Sequence, residues 1–309
     1  MTIRAVVTLP PHDLALALDW EYDWDFVRLV EAEAAGRGLR TVVISPADVA
    51  ARLEDLRSGR LDFRILLDRA SPSSPDFLAF QAAALERGRE VIDPADRLRW
   101  ASDKATMHLE FIAHGIRTPH TLILPPAEAE GTPTLGPAEL LPLGTPFVVK
   151  PANTTGGALG VVEDAGCLGD ALAARRAYPS DKYLLQERIV AEERDGRRFW
   201  FRGFYVLGEV QCAWWDPKTH VYAALGEGEA ALYGLEPLAG VVRAVADVSG
   251  LRFFSTEIVR DARGGLVAVD YVNETCDMRL QSKHADGVPD AIVVRIAARI
   301  AAYAGEGRP

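Results

Sequence analysis

A chain of 309 residues, 49% of them apolar and 25% charged, can build two or three subdomains with real cores, and its composition excludes a disordered or low-complexity polymer. The formal net charge of −10 argues against a general nucleic-acid binder. No apolar run is long enough to cross a bilayer, and no basic segment followed by an apolar stretch opens the chain. Cys167, Cys212 and Cys276 are scattered without ligand spacing, which predicts free thiols in a reducing cytoplasm.

The first hundred residues alternate strand and helix. Ile3–Leu9 reads as a strand, and 24–36 has helical periodicity through Phe26, Val27, Leu29, Val30 and Ala34. Residues 41–44 form a strand, and 47–56 a helix opening after Ser45-Pro46. A strand over 63–67, a helix over 75–87 and a strand over 90–92 follow. This order predicts a parallel sheet covered by helices, an α/β domain over residues 1–100. No Gly-x-Gly-x-x-Gly follows the first strand, so a dinucleotide site is not expected there. The acidic, aromatic stretch from Asp19 to Asp25 reads as a helix N-terminus or as part of a pocket at the sheet edge.

Beyond residue 100 the pattern changes. Residues 102–115 predict a helix capped by Ser102 or Asp103, with Lys104 in its first turn. A strand over 120–124 precedes a Pro- and Gly-rich connection over 125–145 with one short helix. Residues 147–151 form a strand, a helix lies near 168–178, and 183–186 is another strand. The final third reads as mostly antiparallel. A hairpin spans 199–207 and 209–215, turning at Gly208, and strands 253–260 and 266–272 are joined by the turn 261–265. Helices cover 238–249 and 291–303. Subdomains over 101–185 and 186–309 are expected.

Arginine outnumbers lysine 29 to 5. Each lysine (104, 150, 182, 218 and 283) therefore raises the question whether a compact ammonium is required there; Lys182 reads as a survivor on a solvated face. Lys150 ends the apolar strand Phe147-Val148-Val149, and the segment Thr154-Thr155-Gly156-Gly157 follows. Two strands around a Gly/Thr loop can lay N–H groups and hydroxyls over a polyphosphate, with a lysine as the point charge. An ordinary hairpin with a loose turn is the alternative. Downstream, Glu257 lies on one strand, with Asp270 and Asn273 on or just after the next. A short turn brings Glu257 and Asp270 close, and two carboxylates plus an amide oxygen suit Mg²⁺. Exposed hairpin acids are the bland reading; Asp270 fits it poorly, because it ends the apolar run Leu266-Val267-Ala268-Val269.

With these residues in hand, the chain from about Asp103 to Ala302 resembles the ATP-grasp superfamily of carboxylate–amine ligases. The resemblance implies an ATP-grasp fold preceded by a parallel α/β domain, with ATP and Mg²⁺ as cofactors. It makes Lys104 and Lys150 the contacts of the ATP phosphates, and Thr154, Thr155, Gly156 and Gly157 the loop that covers them. In Leu185-Gln186-Glu187-Arg188-Ile189, Gln186 and the hinge residues Glu187 and Ile189 bind the nucleotide, the hinge backbone reading adenine. Glu192, Glu193 or Asp195 would bind ribose, with Glu193 preferred. Glu257, Asp270 and Asn273 would hold the metal. Lys218 sits where relatives carry a mobile segment reaching the γ-phosphate, and Arg202 would face the nucleotide or a substrate carboxylate. Arg279, Ser282 and Lys283 would take an acidic substrate or its acyl phosphate, Arg279 through its guanidinium fork.

Two departures stand out. Family members most often carry acid-x-Asn, whereas Asp270-Tyr271-Val272-Asn273 is one residue longer. Positions three apart in a regular strand face opposite sides, so Asn273 needs a bulge or the strand's end to reach the metal. Ser255 and Thr256 also replace a family arginine before the first acid. The implied activity is an ADP-forming ligase that joins a small carboxylate to an amine or thiol through an acylphosphate. Net charge and the lack of a spanning apolar run lead to no nucleic-acid or membrane partner being expected, and the resembled family implies frequent homodimers. Alternatives are a small-molecule kinase on the same scaffold, which needs a strongly basic pocket, and a non-catalytic nucleotide-binding protein.

Overall fold

The computed structural model describes residues 11–71, 74–129, 135–154 and 160–306; the strand expected at Ile3–Leu9 lies outside them. The chain forms two compact units. One gathers residues 1–98, 206–209 and 275–309, and the other 99–205 and 210–274. The C-terminal segment thus belongs with the N-terminal residues, whereas the sequence pattern had grouped it with 186–274.

The first unit is built on four parallel strands, β1 (His12–Ala17), β2 (Thr41–Ile44), β3 (Phe63–Asp68) and β4 (Glu90–Ile92), in the order β2-β1-β3-β4. Sequence reading missed β1. Its residues Leu14 to Ala17 are buried without alternation, as a strand covered on both faces must be. Helix α1 (Trp24–Gly36) buries Phe26, Val27, Val30 and Ala34, the stripe its 3.6-residue period defines. Helix α2 (Val49–Ser58) ends at Gly59 with φ of 79°, where a left-handed cap favours glycine. Helix α3 (Pro75–Glu86) adds Phe77 and Phe80 to a core with Phe63 and Leu66. The C-terminal helix Asp290–Gly305 packs on α1 and buries Ile292, Val293, Ile296 and Ile300.

The second unit begins within helix α4 (Ala95–Ser102). Helix α5 (Lys104–Ala113) follows after a break at Asp103. The carboxylate of Asp103 caps α5 by accepting from the Ala105 and Thr106 backbone N–H groups, each at 3.0 Å. That cap is the reason the helix starts at residue 104 rather than 102. Strands β5 (Thr121–Leu124), β6 (Phe147–Pro151), β7 (Val162–Ala165) and β8 (Tyr183–Gln186) form an antiparallel sheet, order β5-β8-β6-β7. Short helices α6 (Pro137–Leu140) and α7 (Leu168–Ala174) accompany it. Its core holds Phe147, Val149, Tyr183 and Leu185.

A two-residue hairpin, β9 (Glu193–Arg194) and β10 (Arg197–Arg198), leads into a second sheet. Strands β11 (Trp200–Val206), β12 (Glu209–Asp216), β13 (Val221–Ala224), β14 (Phe253–Arg260) and β15 (Leu266–Asn273) lie in the order β13-β12-β11-β14-β15. Helices α8 (Glu229–Tyr233) and α9 (Pro237–Ser249) precede β14. Helix α9 packs Leu238 and Val242 against Phe199, Phe201 and Ile258. A Cβ on Gly203 would lie 2.3 Å from Val242 Cγ2, so only glycine lets this helix approach β11. No helix among the described residues is long and apolar enough to cross a membrane.

Candidate active site

The site in the second unit starts from an irregularity in backbone pairing. Strands β14 and β15 pair Val259 with Val267 and Ile258 with Ala268, then Glu257 with Asp270 and Ser255 with Asn273. Each of the last two steps consumes one extra residue of β15, which makes two β-bulges. The first leaves Val269 unpaired and brings Asp270 opposite Glu257. The second absorbs the extra residue between Asp270 and Asn273, so Asn273 returns to the face that Asp270 occupies. The longer spacing read from sequence is therefore accommodated by the backbone.

Lys150, at the end of β6, reaches this bulge. It is buried, and its Nζ donates to the Val269 carbonyl at 3.0 Å. The same nitrogen lies 4.0 Å from Asp270 Oδ1 and 5.4 Å from the centre of the Tyr271 ring. Burial lowers the Lys150 pKa; Asp270 and Glu257 raise it, and Lys104 lowers it further. At Asp270 burial favours the neutral acid, but Lys104, Lys150 and Arg202 outweigh it and hold the pKa below its ordinary value. The carboxylate is thus ionised at neutral pH, facing three cations.

Glu257 is held at both oxygens. Trp200 Nε1 donates to Oε2 at 3.0 Å, and Arg202 pairs with Oε1 at 2.9 Å. Arg202 also stacks its guanidinium 4.7 Å from the Trp215 ring. The Asn273 side chain contributes to lowering Asp270, which puts its amide beside that carboxylate, yet its buried Nδ2 has no hydrogen-bond partner. Two carboxylates and the amide oxygen of Asn273 are the donor type Mg²⁺ takes. Among the described residues no group of three or more His, Cys, Asp or Glu side chains is placed to hold a metal ion.

Behind Lys150 runs a buried polar chain that sequence reading did not anticipate. The Tyr271 hydroxyl lies 2.6 Å from Gln186 Nε2 and 2.9 Å from His108 Nδ1, and Gln186 Nε2 also donates to Thr121 Oγ1 at 3.0 Å. Burial, with the charges of Lys150 and His120, lowers His108 to about 4, so its ring is neutral. Burial pushes Glu274 up to about 7, an effect that Lys104 opposes and Asp270 adds to.

The nucleotide-side expectations fall as follows. Lys104 opens α5 and donates its backbone N–H to the Ala152 carbonyl. The N–H of Thr154 donates to Asp181 Oδ2 at 3.0 Å, and Asn153 Nδ2 donates to Oδ1 at 2.8 Å. Asp181, unforeseen from sequence, thus anchors the start of the loop; Thr155, Gly156 and Gly157 lie outside the described residues. Lys182, read as a surface survivor, pairs with the capping Asp103. Glu187 donates its N–H to the His120 carbonyl at 2.8 Å, and Ile189 is half-buried. Glu192 is taken by a bidentate pair with Arg260, at 2.7 and 3.0 Å. Glu193 and Asp195 are exposed on the small hairpin, and Lys218 is exposed at the turn between β12 and β13.

The acidic-substrate residues belong to the first unit. Arg279 is clamped by Asp277 at 2.7 Å and Asp286 at 2.9 Å, and its guanidinium lies 5.8 Å from the Trp20 ring. Those hydrogen bonds raise its pKa. Ser282 donates its N–H to Asp290, and Lys283 pairs with Asp25 at 2.7 Å. Below them the buried Arg69 binds Asp23 through both ends of its fork, at 2.8 and 2.7 Å, and donates to the Cys276 carbonyl at 3.0 Å. The loop 19–25 and the segment after Asn273 are joined by that arginine.

No family model and no curated protein sequence matches the chain. Solved structures do. A RimK-domain ATP-grasp protein from Sphaerobacter thermophilus is similar over 94% of this chain and 98% of its own, at 23% identity and a TM-score of 0.62. D-cycloserine synthetase covers 94% of this chain and 99% of its own at 18% identity, TM-score 0.57. The D-alanine–D-alanine ligase of Bacillus anthracis, solved with ATP, covers 94% and 98% at 13% identity, TM-score 0.62. At these identities the likeness is one of fold.

Proposed function

We propose, on a fold shared with ATP-grasp ligases of known structure, that the chain is an ATP- and Mg²⁺-dependent ligase of small molecules. The observation that carries the reading is Asp270 set opposite Glu257 by the β14–β15 bulge, with Lys150 Nζ 4.0 Å from its carboxylate and bonded to the Val269 carbonyl. In the proposed reaction a substrate carboxylate takes the γ-phosphoryl group of ATP, giving an acylphosphate and ADP. An amine or thiol then attacks the acyl carbon and expels phosphate. The neighbours solved with nucleotide and Mg²⁺ support the use of both.

In this reading Lys150 and Lys104 hold phosphate oxygens, and Arg202 orients Glu257. Glu257, Asp270 and Asn273 would hold Mg²⁺, which when bound neutralises phosphate charge during transfer. The loop opened by Thr154 and continuing through Gly157 covers the phosphates and excludes water. Glu187 and Ile189 read the adenine, and Glu193 is the proposed ribose contact, since Glu192 is committed to Arg260. Lys218, exposed on its turn, is free to approach the γ-phosphate. Arg279, Ser282 and Lys283 serve an acidic substrate only by exchanging their present acid partners. The three free thiols are compatible with work in the cytoplasm, where a homodimer is the proposed state.

The test is incubation with ATP, Mg²⁺ and pools of carboxylic acids, amines and thiols. ADP and phosphate release that requires both an acid and an amine or thiol supports the ligase. A stable phosphorylated product identifies a kinase instead, and nucleotide binding without turnover identifies a sensor.

A further inference from the structure

We propose that Tyr271 is a positioning residue that holds Lys150 and the nucleotide hinge in one frame; the role rests on the ligase reading. Tyr271 sits in the stretch where this chain is one residue longer than the family pattern. Its side chain is wholly buried. A buried phenol is costly unless its hydroxyl finds partners, and here it has two on different elements. Gln186 on β8 donates to it at 2.6 Å, and the hydroxyl lies 2.9 Å from His108 Nδ1 on α5. With His108 neutral, the Nε2–H tautomer lets that nitrogen accept.

The other face of the residue meets the lysine. The ring supports Lys150 Nζ at 5.4 Å, while the unpaired bulge residue Val269 supplies the carbonyl that the ammonium binds at 3.0 Å. Gln186 directly precedes Glu187 and Ile189, the proposed adenine contacts. One side chain therefore ties the end of β8, the end of β6 and the bulged β15. Phenylalanine would fill the same space, so packing alone does not call for the hydroxyl. The ring supplies a π-face to the ammonium, and the hydroxyl sets the hinge.

The experiment is calorimetric titration of ADP with Mg²⁺ into the wild type, Tyr271→Phe and Tyr271→Leu, with thermal melting of each in parallel. The expected order is graded. Phe keeps the ring and loses the strut, weakening ADP about fivefold; Leu loses both and weakens it more than about tenfold. A purely structural role moves the melting temperature and leaves the ADP Kd, read well below melting, at the wild-type value in both variants. That result overturns the proposal, and should Leu not fold, Phe alone decides it. Wild-type protein that binds neither ADP nor ATP overturns the ligase reading, and this role with it.

Discussion

The cations that hold the first unit together differ from the two lysines of the candidate site. In the first, Arg69, Arg89, Arg279 and Lys283 each sit against a carboxylate at 2.9 Å or less. In the second, Lys182, Arg202 and Arg260 are likewise paired with acids, but Lys150 stands 4.0 Å from Asp270 and gives its hydrogen bond to a carbonyl, and among the described residues Lys104 makes no ion pair. Paired charges maintain shape. Lysines not held by a close carboxylate are available to an anionic ligand.

The largest expected effect comes from removing the unspent charges. Lys150→Ala and Asp270→Asn should each lower ADP-forming turnover by about 10³-fold or more, with circular dichroism and melting near the wild type. Turnover near wild type in either variant breaks the contrast. Arg69→Ala should act the other way. It leaves Asp23 buried and unpaired, costing about 3–5 kcal/mol of stability, read as a reduced midpoint in urea; a midpoint unchanged from wild type would mean that the pair is not structural.

A third expectation concerns pH. His108 falls from 6.5 to about 4 on folding, so between those values the unfolded chain binds the extra proton. Stability from this group is complete above pH 6.5 and is lost as pH falls toward 4, on the order of 3 kcal/mol in all. Glu274, raised to about 7 from 4.5, acts with the opposite sign, so the difference between wild type and His108→Gln is the quantity to measure. Urea midpoints at pH 7 and pH 4.5 that shift equally in both proteins contradict the assignment. The smallest effect belongs to Lys283→Ala. Its pair with Asp25 is half-exposed, and its loss should cost less than about 1 kcal/mol in the same urea assay.

Much of the fold was legible because periodicity and punctuation agree: the bounds of α1, β2, β4, β8 and β14 follow from apolar spacing and flanking Gly or Pro. β1 escaped because a doubly covered strand does not alternate, and β13 because an exposed four-residue edge carries little signal. In the site, Lys150 and Asp270 were legible as charges ending apolar strands. Trp200, Asp181 and Tyr271 were not, since each works through the tip of a side chain brought into place by tertiary packing. The reach of Asn273 depended on two bulges, and a bulge moves register without leaving a distinctive residue type behind.

The most direct measurement is calorimetric titration of ADP and Mg²⁺ into wild type, Lys150→Ala and Arg89→Ala, the last removing a paired cation of the first unit. The account predicts equal affinity for wild type and Arg89→Ala, and at least about tenfold weaker binding for Lys150→Ala. Lys150→Ala binding as tightly as the wild type would contradict it.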